Sequence, residues 1–337
     1  MRKLYLKPGK KIGVCAPSDG NSDVTDLKRL DNAKKNLAGL GIDVIETGHV
    51  RGSELGRSAD ARTRANEFMN LILNDDVSVI WATKGGDFEC EILPYLDYGR
   101  IAMHQKLFCG YSDNTCLTYS LTTLLDMETV YTNNFNEFGM EHLHESLSLC
   151  LDILLGKADY QESYDAHESA YYDRVTGIED YKLDAKTELT GINGEDEASF
   201  SGVLLGGCME VLLQLMGTRF EDTAGFIKKH AEDGIIWYFE SYALSGSAIS
   251  NAIWQMKEAG WFDKTNGIIF GRPCFYTADY GITYEDAARG ALSRAGLSHL
   301  PVVFGADIGH RAPAWTVVNG RKAAFTYNRG KGSLKYE

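Results

Sequence analysis

No apolar run in this chain approaches the roughly 20 residues needed to cross a bilayer, and the opening Met1-Arg2-Lys3-Leu4-Tyr5-Leu6-Lys7-Pro8 turns polar before a signal-like core develops. A membrane partner is therefore not expected, and the cytoplasm is the default compartment. Seven cysteines, at 15, 90, 109, 116, 150, 208 and 274, form no C-x-x-C pair. Their odd number and spacing argue against a disulfide framework and a thiolate zinc site. The histidines lack H-x-x-x-H spacing, so a metal hydrolase would have to draw its ligands from distant positions. No G-x-G-x-x-G follows the first apolar run and no G-x-x-x-x-G-K-S/T occurs, which leaves dinucleotide and phosphate-loop chemistry without direct support. No cofactor and no metal are expected. Basic clusters are also missing from a chain of formal charge −13, which disfavours nucleic acid as a partner. No internal repeat or low-complexity tract appears.

What is present suits a globular protein. With 337 residues, 44% of them hydrophobic, the chain can bury a full core and is closer in length to two domains than to one. Lys11-Ile12-Gly13-Val14-Cys15-Ala16 reads as a buried strand ended by Pro17-Ser18-Asp19-Gly20. Leu27, Leu30, Ala33 and Leu37 recur at helical spacing, and Gly39 and Gly41 close that helix before the strand Ile42–Ile45. A helix over Ala59–Leu73 and a strand over Val77–Ala82 complete a βαβαβ pattern. Crossover helices of this kind imply a mainly parallel sheet, with chemistry gathered beyond the carboxyl ends of its strands. Loops 17–20, 83–88 and 110–114 meet that condition and are candidates for one crevice. Met140–Leu149 reads as helical. Residues 161–200 carry eleven Asp and Glu against three Lys and Arg, as a solvated connector between domains would.

A second α/β domain begins near Phe200–Gly207, an apolar strand running into glycines, followed by a helix through Leu212, Leu213 and Leu215. Ile235–Phe239 is a fully apolar strand ending at Glu240. Ile249–Ala259 and Thr283–Ala295 read as helices, Gly267–Gly271 as a strand, and Pro301–Phe304 as a strand leading into Gly305-Ala306-Asp307-Ile308-Gly309-His310.

The segment Phe108-Cys109-Gly110-Tyr111-Ser112-Asp113-Asn114-Thr115 places one serine between an apolar run and the start of a helix. A hydroxyl on such a turn is held out of the sheet, and the opening helix offers N–H groups to a developing oxyanion. The stretch lacks the second glycine of a G-x-S-x-G elbow. A serine nucleophile needs a base, and the base needs an acceptor to hold its tautomer. His310 follows a strand and a glycine-bearing loop. It is either that base or a loop histidine bonded to backbone. Glu240 closes an apolar strand, where a carboxylate is costly unless paired; it is either the base's partner or an acceptor for nearby loop N–H groups. Gly85-Gly86 after a strand allows close backbone approach to a bound group, or simply makes a turn.

Taken in order, these segments resemble the serine LD-carboxypeptidase family, which includes muramoyl-tetrapeptide carboxypeptidases and microcin C7 self-immunity peptidases. The matching residues are Leu6–Ile12 with Ala16-Pro17-Ser18, Ala82–Gly86 with Leu93–Asp97, and Gly110-Tyr111-Ser112-Asp113. In the second half they are Leu204–Gly207, Phe239-Glu240, Gly267–Gly271 and Asp307–His310. The resemblance implies an α/β fold with a Rossmann-like N-terminal domain (1–160), the acidic connector (161–199) and a smaller C-terminal α/β domain (200–337). It further implies a cytoplasmic homodimer with a Ser112-Glu240-His310 triad, the serine from one domain and the histidine from the other. The backbone N–H groups of Gly86 and Asp113 would form the oxyanion hole. Three places depart from the family pattern: Cys208 after Gly206-Gly207, Thr132-Asn133-Asn134-Phe135, and Thr316-Val317-Val318-Asn319-Gly320. They bear on the substrate rather than on the reaction class.

The resemblance implies a metal-independent serine carboxypeptidase acting on the L,D-bond of murein-derived tetrapeptides. The alternative is an immunity-type hydrolase that cleaves peptidyl or aminoacyl nucleotide amides. A third reading, from another class, is a non-catalytic α/β small-molecule-binding protein.

Overall fold

The computed structural model describes residues 3–337, and the chain divides into two compact units. The first runs through Asp159 and takes in 172–181 and 316–318; the second comprises 160–171, 182–315 and 319–337.

In the first unit, β1 (Lys11–Cys15), β2 (Val44–Glu46), β3 (Val77–Ala82), β4 (Leu107–Gly110) and β5 (Thr129–Tyr131) pair in parallel in the order β5-β4-β3-β1-β2. The connections carry α1 (Val24–Gly39), α2 (Ala61–Leu73), α3 (Tyr98–Met103) and α4 (Thr115–Leu125), and α5 (Glu145–Leu154) follows. Strands covered on both faces need apolar residues on both, and Ile12, Val14, Val79, Ile80 and Trp81 are all fully buried. Helix starts are set by side-chain caps. Asp60 accepts from the N–H groups of Arg62 and Thr63, so α2 begins at Ala61 rather than Ala59. The expected helix over Met140–Leu149 begins instead at Glu145, because the His144 ring nitrogen Nδ1 accepts from Ser146 N–H at 3.1 Å and caps it. β4 passes into α4 through a single 3-10 turn, Ser112–Asn114, and every residue from Thr115 to Thr123 is buried. The turn is thus anchored from both sides.

The second unit is built on a mixed sheet. The acidic stretch expected as a connector holds β6 (Tyr160–Glu162), β7 (Ala166–His167), β8 (Ala185–Lys186) and β9 (Thr190–Gly191), and it is divided between the two units. Its carboxylates serve backbone donors: Glu168 accepts from Lys182 N–H at 3.0 Å, and Glu195 from Asn193 N–H at 2.8 Å. The acidity fastens loops here rather than solvating a free linker. β10 (Glu197–Cys208), α6 (Met209–Leu215), α7 (Thr223–Lys229), β11 (Ile235–Glu240), α8 (Gly246–Glu258), β12 (Thr265–Gly271), α9 (Tyr284–Arg294) and β13 (Val302–Ala306) form the α/β part. β14 (Val317–Asn319) then joins the first unit's sheet beside β5, and β15 (Lys322–Asn328) and β16 (Lys331–Tyr336) close the chain. The second sheet has the order β6-β16-β15-β10-β11-β12-β13-β9. β10 to β13 run parallel, and β15 pairs antiparallel with β10. All six residues of β11 are buried, with the Trp237 ring stacked 5.4 Å from both Phe239 and Trp261. Each such aromatic side chain contributes roughly 1.5–3 kcal/mol by burial, which fixes the strand whose last residue is Glu240. Among the described residues no helix is long and apolar enough to cross a membrane.

Candidate active site

In the first unit, the three loops expected to share a crevice do meet. Ser18 Oγ donates to the Asp113 carboxylate, Asp19 N–H reaches Gly85 O at 3.4 Å, and Asn114 Nδ2 donates to Lys84 O at 3.2 Å. Lys84 is held by ion pairs to Asp19 and Asp26 at 3.2 and 2.7 Å. All three loops leave the carboxyl ends of neighbouring parallel strands, so the sheet itself gathers them.

Ser112 has φ +65°, a left-handed conformation uncommon for a residue with a Cβ. Such a backbone costs on the order of 1–3 kcal/mol and persists only where its surroundings impose it. Here Ser112 N–H donates to the Tyr131 hydroxyl at 3.2 Å, and Ser112 O accepts from Thr115 Oγ1 at 2.7 Å. Asn134 Oδ1 receives both Tyr111 N–H and Asn114 Nδ2, each at 3.1 Å. Asn134, one of the residues that depart from the family pattern, therefore staples the serine turn to the loop after β5. Neither Tyr131 nor Asn134 was singled out from the sequence for this role; a run of asparagines directly after a short strand was the available signal.

Gly85 lies against the serine. A Cβ on it would sit 3.1 Å from Ser112 Oγ and 3.6 Å from Asp113 N. Gly86 follows, and a Cβ there would come within 2.4 Å of Ser18 Oγ. The close approach of these backbones thus depends on glycine. Asp113 is almost fully buried, and its Oδ2 accepts from Glu89 N–H at 2.8 Å as well as from Ser18. Burial pushes its carboxyl up from the usual range, against the lowering effect of those two donors.

The second unit brings Glu240 and His310 together. His310 Nδ1 lies 2.9 Å from Glu240 Oε2, and the carboxylate is fully buried. A carboxylate can only accept, so Nδ1 is the donor in this bond, and in a neutral ring that leaves the lone pair on Nε2. The Tyr242 ring packs on the imidazole with centroids 4.7 Å apart. Asp307, a second carboxylate on the loop that carries His310, pairs with Arg272 at 2.8 Å and accepts from Tyr164 N–H at 3.1 Å. Arg272 also donates to the carbonyls of Gly305, Arg311 and Pro313, so one buried guanidinium spans the loop that presents His310. Behind Glu240, Cys208 is its register partner across β10 and β11, and the buried thiol donates to Glu210 Oε2 at 3.2 Å. Glu210 in turn accepts from Ala243 N–H at 2.7 Å. Asn319, another departure from the family pattern, accepts from Gly206 N–H and the Tyr238 hydroxyl at 3.2 and 2.9 Å, and so supports the end of β10.

Gly309 makes the Glu240 pocket possible. Its φ is +110°, and a Cβ would fall 2.7 Å from Glu240 Oε2 and 3.0 Å from Glu240 Cβ. Gly309→Ala is expected to displace the carboxylate, lowering kcat/KM at least about tenfold and stability by about 1–3 kcal/mol. Steady-state kinetics and a denaturant melt of the same sample check both.

Three ligand-type atoms, from Glu89, Asp113 and Cys116, lie within 4.8 Å of one another. Asp113 already spends Oδ2 on two donors, and burial holds the Cys116 thiol well above its ordinary range. Neither Glu89 carboxyl oxygen has a hydrogen-bond partner among the described residues, so the three groups are near one another without being bonded.

Two family models match the chain: the LD-carboxypeptidase N-terminal domain over residues 12–132 and the LD-carboxypeptidase C-terminal domain over residues 201–325. A probable murein peptide carboxypeptidase of Bacillus subtilis is 25% identical, over 95% of this chain and 90% of its own. Among solved structures, an MccF-like protein from Bacillus anthracis superposes with TM-score 0.83 at 24% identity, covering 100% of both chains. The microcin C7 self-immunity protein MccF, solved with aspartyl sulfamoyl adenosine, gives TM-score 0.81 at 23% identity, covering 100% of this chain and 99% of that one.

Proposed function

The chain belongs to the LD-carboxypeptidase family, and from that premise we propose that it is a serine hydrolase. In this reading it cleaves the amide next to the terminal residue of a short peptide through an acyl-enzyme, murein-derived L,D-tetrapeptides being the leading substrate. The observation that carries it is the His310 Nδ1 to Glu240 hydrogen bond of 2.9 Å, a pair that sets the imidazole tautomer a serine requires of its base. Ser112 is the nucleophile, His310 takes its proton and returns it to the leaving amine, and Glu240 stabilises the imidazolium formed between those steps. The backbone N–H groups of Gly86 and Asp113 are the oxyanion donors in this reading. Its support is the glycine-dependent approach of Gly85, the residue before Gly86, to Ser112 Oγ and Asp113 N. A homodimer in the cytoplasm belongs to the same reading. All seven cysteines are unbridged, in keeping with a reducing compartment.

A second reading has its own observation. The leaving group lies beside the histidine that protonates it, and a row of aromatic rings starts on His310. Tyr242 packs on the imidazole, Phe275 meets Tyr242 at 5.1 Å, and Tyr171 meets Phe275 at 5.8 Å between ring centroids. All three are at least 40% exposed, and such faces suit a planar leaving group. This favours an aminoacyl or peptidyl nucleotide amide, the kind of ligand seen with MccF. Hydrolysis of a murein tetrapeptide and of a peptidyl adenosine sulfamate by one purified sample separates the two. Faster turnover of the tetrapeptide supports the leading reading, and faster turnover of the nucleotide amide supports the second. Binding of either without turnover returns the protein to the non-catalytic class.

A further inference from the structure

Glu89 is a buried carboxyl beside the serine turn that the proposed chemistry does not use. It lies at the start of a 3-10 turn, Glu89–Tyr95, is fully buried, and neither of its carboxyl oxygens has a hydrogen-bond partner among the described residues. Its own backbone N–H donates to Asp113, whose carboxylate is within 4.8 Å of the Glu89 carboxyl. Two negative charges at that separation in a dry interior repel strongly, and a lone buried carboxylate with no donor is costlier still.

The groups facing Glu89 come from its own turn and from four other elements. Asp113 belongs to the serine turn and Cys116 to α4. Cys90 is its chain neighbour, and Cys15 ends β1; burial and the nearby carboxyls hold both thiols above their ordinary range. The remaining group is Arg64 of α2, the one cation among the described residues whose charge acts on it. The Arg64 guanidinium is already engaged by Pro17 O at 2.6 Å, Phe88 O at 3.0 Å and the Glu91 carboxylate at 2.7 Å. Its two terminal nitrogens are thus taken, no hydrogen bond from it reaches the Glu89 carboxyl, and its charge only partly offsets burial and the Asp113 charge.

We propose that Glu89 stays a neutral, proton-bearing acid at physiological pH and acts as a positioning residue: its neutrality lets Asp113 remain the acceptor that ties Ser18 and the 89 backbone to the serine turn. Ionising Glu89 would set it against Asp113 and loosen the two bonds that hold the Asp113 carboxylate, and through it the serine turn. This rests on the reading of Ser112 and Asp113 given above, but three of its four readouts do not depend on activity. Burial first, and the Asp113 charge second, place the Glu89 carboxyl well above its ordinary value of 4.5. A carboxyl raised in the folded state binds its proton more tightly there than when unfolded. Its contribution therefore falls as pH rises through the unfolded value and stays lost beyond the folded one.

Glu89→Gln keeps the shape and removes the titration. It is expected to raise Tm above the parent at pH 8, with the gain vanishing at and below about pH 4. The infrared carbonyl band of a protonated carboxyl should be present in the parent at pH 7 and missing in Glu89→Gln. If Ser112 is the nucleophile, any alkaline fall in kcat/KM of the parent should be weaker in Glu89→Gln, while Glu89→Ala, which leaves a cavity, should lose activity at all pH. The proposal is overturned if Glu89→Gln is less stable than the parent at pH 8, if the band persists, or if the metal content of the parent shows one cation per chain that Glu89→Gln lacks. Failure of the kinetic arm alone, with the band and the Tm shift as expected, would count instead against the assignment of Ser112 and Asp113.

Discussion

Ser112→Ala is expected to lower kcat by roughly four orders of magnitude or more, since removing the nucleophile of a triad leaves only binding and oxyanion stabilisation. Folding should be unaffected. The hydroxyl sits on a turn held by backbone bonds to Tyr131 and Thr115, not by its own oxygen in those contacts. Alanine tolerates φ +65° no better and no worse than serine. The parent and the variant should therefore melt within about 1 kcal/mol of each other, which separates loss of chemistry from loss of structure. Residual turnover above about 1% of the parental rate would remove Ser112 as nucleophile, because background hydrolysis supplies far less. The expected acyl-enzyme gives a second measurement: a mechanism-based serine acylating reagent should add one equivalent of mass to the parent and none to Ser112→Ala.

Glu240→Gln is expected to cost about a thousandfold to ten-thousandfold in kcat/KM with the fold intact. The carboxylate is fully buried and its Oε2 receives the His310 Nδ1 proton at 2.9 Å. Glutamine fills the same volume, but it can turn its NH2 toward Nδ1, which must then accept, and the ring proton moves to Nε2. The nitrogen needed as a base is then blocked. Nitrogen-15 NMR of labelled histidine reads the tautomer directly, so the kinetic loss and its cause are observed together. Near-parental kcat/KM in Glu240→Gln would show that Glu240 neither orients nor charges the base, and the mechanism would contract to a serine and a histidine.

Where signal and structure agree, a local pattern coincides with what the fold demands. The apolar runs at 11–16, 77–82 and 235–239 become strands because both faces of a parallel sheet are covered, so continuous apolarity is itself the signal. Glu240 and His310 were legible because a carboxylate ending such a strand must find a partner, and the partner is the histidine. Where they differ, a single side chain decided. The helix expected from Met140 starts at Glu145 because the His144 ring caps it, and an imidazole acceptor is a weak cue in sequence. The acidic segment after 160 looked like a solvated connector because composition does not say whether a carboxylate meets water or a backbone N–H; Glu168 and Glu195 meet the latter.

By itself, the sequence determined the α/β class, the succession of strands and crossover helices, and the residue types that can do acyl-transfer chemistry, all of them consequences of short-range periodicity and of the cost of burying charge. Tertiary structure alone decided which distant groups tune those residues. Tyr131 and Asn134 hold Ser112 in a left-handed turn, Arg272 spans the His310 loop, and Glu89 is set against Asp113 with no donor of its own. The physical reason is that hydrogen bonding, strain and electrostatic repulsion act over a few ångströms in space between residues tens of positions apart in the chain. No spacing in the sequence encodes that proximity until the sheet has brought the loops together.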